Sequence, residues 1–229
     1  MLITPTKAGA RRALQWLAGK NCNVSAISQR AVQDISSIAG SGLIAGLQAQ
    51  YGYHPHPRVN AWISLAEGLT SYFSDLGQTA HDKIKRAHAL SGASRDRRLN
   101  ALAAAWLAHM DYTAYDLDAM GRHVAEALLL ADAEHHSARA RACLVVALAY
   151  HFGGRFDAAQ PWYAKSRLHA SAEGDETMLS AIMYNMAGLL ADQSRHAMMT
   201  REQDPAMLRR AELSLQSATN LDALIGIAS

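Results

Sequence analysis

The chain has 229 residues, half of them hydrophobic and 18% charged, so it can bury a core and lies outside the range of disordered chains. Its 22 Lys and Arg against 20 Asp and Glu leave a formal charge of +2, too balanced to point to nucleic acid or an anionic membrane. No phosphate-binding loop, nucleophile elbow, HExxH or paired CxxC occurs, and no run nears the ~20 apolar residues that cross a bilayer.

In chain order, Thr4-Pro5 reads as a helix start, with Thr as cap and Pro in the first turn. That helix runs toward Leu17 and stops at Gly19, with no apolar run of signal-peptide length. A second helix, from about Ser25, places Ile27, Ala31, Ile35 and Ile38 on one face, and Gly40-Ser41-Gly42 separates it from a short third helix, Leu43 to Tyr51. These lengths would allow a helix-turn-helix, but VSAISQRAVQDI carries one Arg and one Asp, a poor reader of DNA. Pro55 and Pro57 in YGYHPHPRV force extended backbone, and they divide an N-terminal helical segment, residues 1–57, from a longer helical region, 58–229. His54 and His56 alternate in that loop and read as solvated. Cys22 and Cys143 lie far apart and read as a reduced pair in a cytoplasmic protein.

Beyond the boundary the pattern is helical throughout, in a sequence rich in Ala with only five prolines. AWISLAEGLTSYF pairs with a helix carrying Ala80, Ile84 and Ala87, and the loop Ser91–Asp96 leads to LNALAAAWLAHM and its partner around Leu117–Ala131. From Ala142 to Leu168 two helical patterns flank Gly153-Gly154. Cys143, Val146, Ala147 and Tyr150 mark the buried face of the first, and Phe156, Ala159, Tyr163 and Ser166 that of the second. The glycines end the first helix, and Asp157 suits the positive end of the second. Glu173-Gly174-Asp175 reads as a turn, followed by a helix Thr177–Leu190 with Met178, Ile182, Met186 and Leu189 or Leu190 buried. Asp192–Asp204 reads as a polar insertion, and Asp204-Pro205 starts a helix to about Thr219. The closing LDALIGIAS is apolar on one face. It lacks a polar cap, so a partner, a second copy in a homodimer or further chain is expected to cover it.

The 3, 4, 3 spacing recurs. Leu117, Met120, Val124 and Ala127 repeat Phe156, Ala159, Tyr163 and Ser166 at 156 − 117 = 39. Ala80, Ile84 and Ala87 repeat Met120, Val124 and Ala127 at 120 − 80 = 40, and Ala211, Leu215 and Ala218 repeat the set downstream. Gly154, Phe156, Ala159, Tyr163 and Ser166 resemble the Gly-x-aromatic turn and the Ala, aromatic, small sequence of a tetratricopeptide repeat. Cys143 stands where that family prefers Trp, and Ser166 where it prefers Ala. The resemblance implies an all-α, right-handed superhelix of about four antiparallel helix pairs. The period near 40 exceeds the usual 34 and overlaps HEAT and armadillo repeats, so longer helices are expected.

Such a superhelix lines its concave groove with the first helix of each pair. Residues opposite the second helix are then Trp62, Leu65, Leu69 and Tyr72; Leu102, Ala105, His109 and Tyr112; Arg141, Leu144, Leu148 and His151; and Ala181, Tyr184 and Asn185. An apolar groove with aromatic anchors suits capture of a peptide or helix. It lacks the Lys/Asn/Arg carboxylate clamp of some family members. The expected function is a non-catalytic protein-interaction or scaffold module, with Trp62, Tyr72, His109, Tyr112, Arg141, His151, Tyr184 and Asn185 as its contact residues. The Ala-rich, His-rich, Lys-poor composition resembles that of proteins from high-GC bacteria, and the sensing or scaffold part of a bacterial regulator is the expected setting. A small-molecule sensor using the same groove is the alternative, and Leu2–Tyr51 filling the groove is a third arrangement. No cofactor or metal is expected. Asp132, Glu134, His135 and His136 could ligate a cation, but they read as the end of a helix, where His suits the negative terminus. Asp111, Asp116 and Asp118 read as caps.

Overall fold

The computed structural model describes residues 57–75, 78–200 and 205–225. The expectations for residues 1–56, including Cys22, His54, His56 and groove filling by Leu2–Tyr51, lie outside them. The described residues contain eight α-helices and no strand: α1 (Pro57–Asp75), α2 (Gln78–Ala93), α3 (Arg97–Thr113), α4 (Leu117–Leu130), α5 (His136–Phe152), α6 (Phe156–Glu173), α7 (Glu176–Thr200) and α8 (Pro205–Ile225). The fold is all-α, built of antiparallel pairs: α1 on α2, α3 on α4, α5 on α6 and α7 on α8. Contacts gather the chain into two compact units, Met1–Asp132 with α1 to α4 and Ala133–Ser229 with α5 to α8. Within the first, α2 also packs on α3; within the second, α6 packs on α7.

Four of the links are one turn repeated. At Arg95, Tyr115, Gly154 and Gly174 the backbone is left-handed, with φ of 56°, 60°, 70° and 71°. The next amide then reaches back five residues: Asp96 donates to the Ser91 carbonyl, Asp116 to Asp111, Arg155 to Tyr150 and Asp175 to Ala170. Each left-handed residue itself donates three residues back, so the last carbonyls of the helix are satisfied in a Schellman motif. Asp96, Asp116 and Asp175 then cap the following helix by accepting the amides of Leu99, Ala119 and Met178. Arg155, the fourth, makes no such bond.

The second helix of the central pair has the expected register. Ala159, Tyr163, Ser166 and Ala170 are all fully buried, and the Ser166 hydroxyl donates to the Ala140 carbonyl at 2.8 Å across the pair. The first helix does not: Cys143 and Ala147 are buried, but Tyr150 is 37% exposed and His151 takes its place inside. With Ala138, Ala140, Ala142, Leu144, Val145 and Leu148 also buried, α5 has no single apolar stripe from which its phase could be read. In α2, Ala80, Ile84 and Ala87 are buried as expected. Gly68 of α1 lets that pair close, because a Cβ there would lie 2.6 Å from Ile84 Cγ1.

Burial shows a longer correspondence between the units. Ala61, Ser64, Leu65, Ala66 and Leu69 of α1 match Ala140, Cys143, Leu144, Val145 and Leu148 of α5 at 140 − 61 = 79, and all ten are buried. Ile84 and Tyr163, Ala87 and Ser166, and Asp96 and Asp175 keep the same spacing. The register is lost near the end. Asp192–Asp204 reads as an insertion in the sequence, but α7 continues through it to Thr200, since no Gly or Pro stops it and Arg195 pairs with Asp192 one turn away. On α8, Ala211 and Ala218 are buried whereas Leu215, expected beside them, is 50% exposed. The inner face runs instead toward Asp222.

Candidate functional site

Most of the apolar residues assigned to a groove are core. Leu65, Leu69, Leu102, Ala105, Leu144 and Leu148 are buried. The physical reason is clearest at α3, which packs on α4 and also on α2, so the face turned from its own partner is covered by the neighbouring pair. Beside them, part of what stays accessible in the first unit is an aromatic group. The ring of Tyr72 on α1 meets Phe73, Trp106 and His109 edge-on, at centroid separations of 5.3, 5.9 and 5.8 Å. Phe73 and His109 each touch Trp106 in the same way. Tyr72 Oη lies 3.0 Å from His109 Nε2, tying α1 to α3. Trp106 is buried and anchors the group, while Phe73 is 44% exposed. Tyr112 follows His109 by one turn and is half-buried; burial, then the neighbouring Tyr115, holds its phenol above the ordinary 10.0.

Trp62 is buried in α1, and its indole nitrogen has no hydrogen-bond partner. In the second unit, Arg141 is half-buried on α5, and Asn185 on α7 donates to the Ala181 carbonyl at 2.8 Å. Tyr184 is 37% exposed, and the Asp222 carboxylate that accepts its hydroxyl raises its pKa. Asp222 is buried between α7 and α8 and also accepts from Ser180 at 2.5 Å. Helical spacing turns His151 away from its partner helix, and the structure turns it inward. It is 3% exposed, with Nδ1 3.0 Å from Tyr163 Oη on α6 and Nε2 donating to Asp192 on α7 at 3.0 Å. Its polar ring is consumed in holding three helices together. Thus Tyr72 and His109 meet directly, Tyr112 adjoins them, and Arg141, His151, Tyr184 and Asn185 belong to separate surroundings in the other unit.

Sequence reasoning missed Phe73 and Trp106, which fall between the expected groove positions, and a network of histidines on carboxylates. Asp111 is no cap. It is buried, accepts from His123 Nδ1 at 2.5 Å and lies 3.7 Å from His81 Nε2. His88 donates to Glu126 at 3.0 Å, joining α2 to α4. His135 and His136 stand at the start of α5, the positive end, not at the negative end of the preceding helix. Among the described residues no group of three or more His, Cys, Asp or Glu is placed to hold a metal, and no helix is long and apolar enough to cross a membrane. Cys143 is a free, buried thiol whose pKa is raised by burial.

The geometry defines a class: an all-α protein of consecutive helix pairs with a half-exposed aromatic cluster and several of its described histidines engaged in bonds between helices. Comparison with protein families, curated proteins and solved structures gave no match.

Proposed function

We propose that the chain is a non-catalytic interaction module of tetratricopeptide-like repeats, which holds a peptide or helix of a protein partner against Tyr72, Phe73, His109 and Tyr112. The observation that carries this is the ring cluster itself. Edge-to-face contacts and the Tyr72–His109 bond hold Tyr72, Phe73 and His109 in place before any partner arrives, so little rotamer entropy remains to be lost on binding. Aromatic side chains with a polar tip supply most of the energy in such contacts, about 2 kcal/mol or more for the best of them. A scaffold role within a cytoplasmic bacterial regulator fits the Ala-rich, Lys-poor composition. Pull-down with the whole chain tests the reading: Tyr112→Ala should abolish capture of a partner that the wild type retains, with the melting temperature little changed. Equal capture by both proteins would refute it.

A second reading, small-molecule sensing, draws on a cavity of about 710 Å³ between α6, α7 and the start of α8. Arg155, Phe156, Asp157, Gln193, His196 and Met207 line it, and its volume falls in the range of ligand pockets. It ranks second because it opens broadly to solvent. Calorimetric titration with metabolite mixtures distinguishes it from peptide capture.

A further inference from the structure

Two imidazoles face each other where α5 begins and α6 nears its end. His136 is the first residue of α5 and His169 lies one turn before the end of α6. Their Nδ1 atoms are 3.1 Å apart, with the rings tilted by 32° and their centroids 5.4 Å apart. This contact needs one Nδ1 that carries a proton and one that does not, because two N–H groups have no lone pair to share. It therefore survives with both rings neutral or with one charged, and fails when both are charged.

The surroundings oppose a second charge. His136 sits at the positive end of α5, where a further cation is disfavoured. Burial lowers the His169 pKa below its ordinary 6.5, and the nearness of His136 and of Arg139 on α5 lowers it further. Glu134 Oε2 lies 3.6 Å from His136 Nε2, but this carboxylate is 83% exposed and its field is weakened by solvent. The proton that would leave both rings charged thus meets resistance at His169. On α7, the other helix packed against α6, the buried side chains Met178, Ile182 and Leu189 do not titrate.

We propose that His136 and His169 form a proton-sensitive latch, which clasps the start of α5 to the end of α6 near neutral pH and releases when both rings are protonated. A histidine whose folded-state pKa is depressed contributes stability above its unfolded value, and this is lost as pH falls through the folded one. Acidification should therefore loosen the α5–α6 pair from this end.

Histidine proton NMR of the full chain, with melting between about pH 7.5 and about pH 5, tests the latch. In the wild type His169 should titrate below an ordinary histidine, and His136→Gln should move its midpoint upward. His169→Gln should remove a clear share of the wild-type loss in melting temperature on acidification. An unshifted His169 midpoint in His136→Gln, or the same acid loss in wild type and His169→Gln, would overturn the proposal. Should His169→Gln fail to fold, the NMR comparison of wild type with His136→Gln decides alone.

Discussion

Gly68→Ala sets two known effects against each other. In an exposed helix, exchanging Gly for Ala stabilises by about 1 kcal/mol, since Gly loses more backbone entropy on folding. At Gly68 the added Cβ would lie 2.6 Å from Ile84 Cγ1, 3.1 Å from the Ala80 carbonyl oxygen and 3.2 Å from Lys83 Cβ. Ile84 is fully buried and Cγ1 is near the root of its side chain, so it cannot swing clear, and α1 must move off α2. Overpacking of this kind costs about 1–3 kcal/mol, which outweighs the propensity gain. The expected outcome is a net loss of about 1 kcal/mol, or roughly 4–8 °C in melting temperature for a domain of 60–100 residues. In an Ile84→Ala background the obstructing atom is gone, and the same change should turn into a gain of up to about 1 kcal/mol. Thermal melts of the four proteins in this cycle measure the coupling. An equal effect of Gly68→Ala in both backgrounds would show that α1 and α2 do not approach through this contact.

Three further substitutions probe the turns and the central pair. Arg155→Asp should supply the missing cap of α6 and raise stability by about 0.5–1 kcal/mol in urea unfolding; no gain would mean that those amides are already satisfied. Tyr115→Gly should relieve a left-handed tyrosine that is 89% exposed and buries little, stabilising by a fraction of a kcal/mol to about 1. A lowered midpoint would show that the ring holds the turn. Ala159→Trp should wedge α5 from α6 and cost about 1–3 kcal/mol or more, and an unchanged melting temperature would contradict its burial.

Where one face of a helix alternates small and large residues, the sequence is readable. Phe156, Ala159, Tyr163 and Ser166 give the register of α6 because its other positions are polar enough to leave one face for the core. On α5 nearly every residue is small or apolar, so the choice between Tyr150 and His151 hangs on a phase that composition cannot supply. The burial of the apolar groove positions is hidden for a related reason. Spacing says which residues oppose the partner helix but not whether the next pair covers them, and α2 covers α3. The histidine contacts are illegible because their partners lie 12 to 41 residues away, as with His123 on Asp111 and His151 on Asp192. No local pattern brings such residues together. Asp111 looks like Asp116 in sequence, and only packing separates a buried acceptor from a cap.

The four Schellman turns bear on how the chain meets proteases. Arg95 and Tyr115 stand in exposed links, where trypsin and chymotrypsin would be expected to cut. A protease must draw its substrate into an extended strand, and these links are left-handed, with both flanking amides donating backwards into the helix. Cleavage there would first require unwinding a helix end, so susceptibility at Arg95 and Tyr115 reports local opening of unit 1.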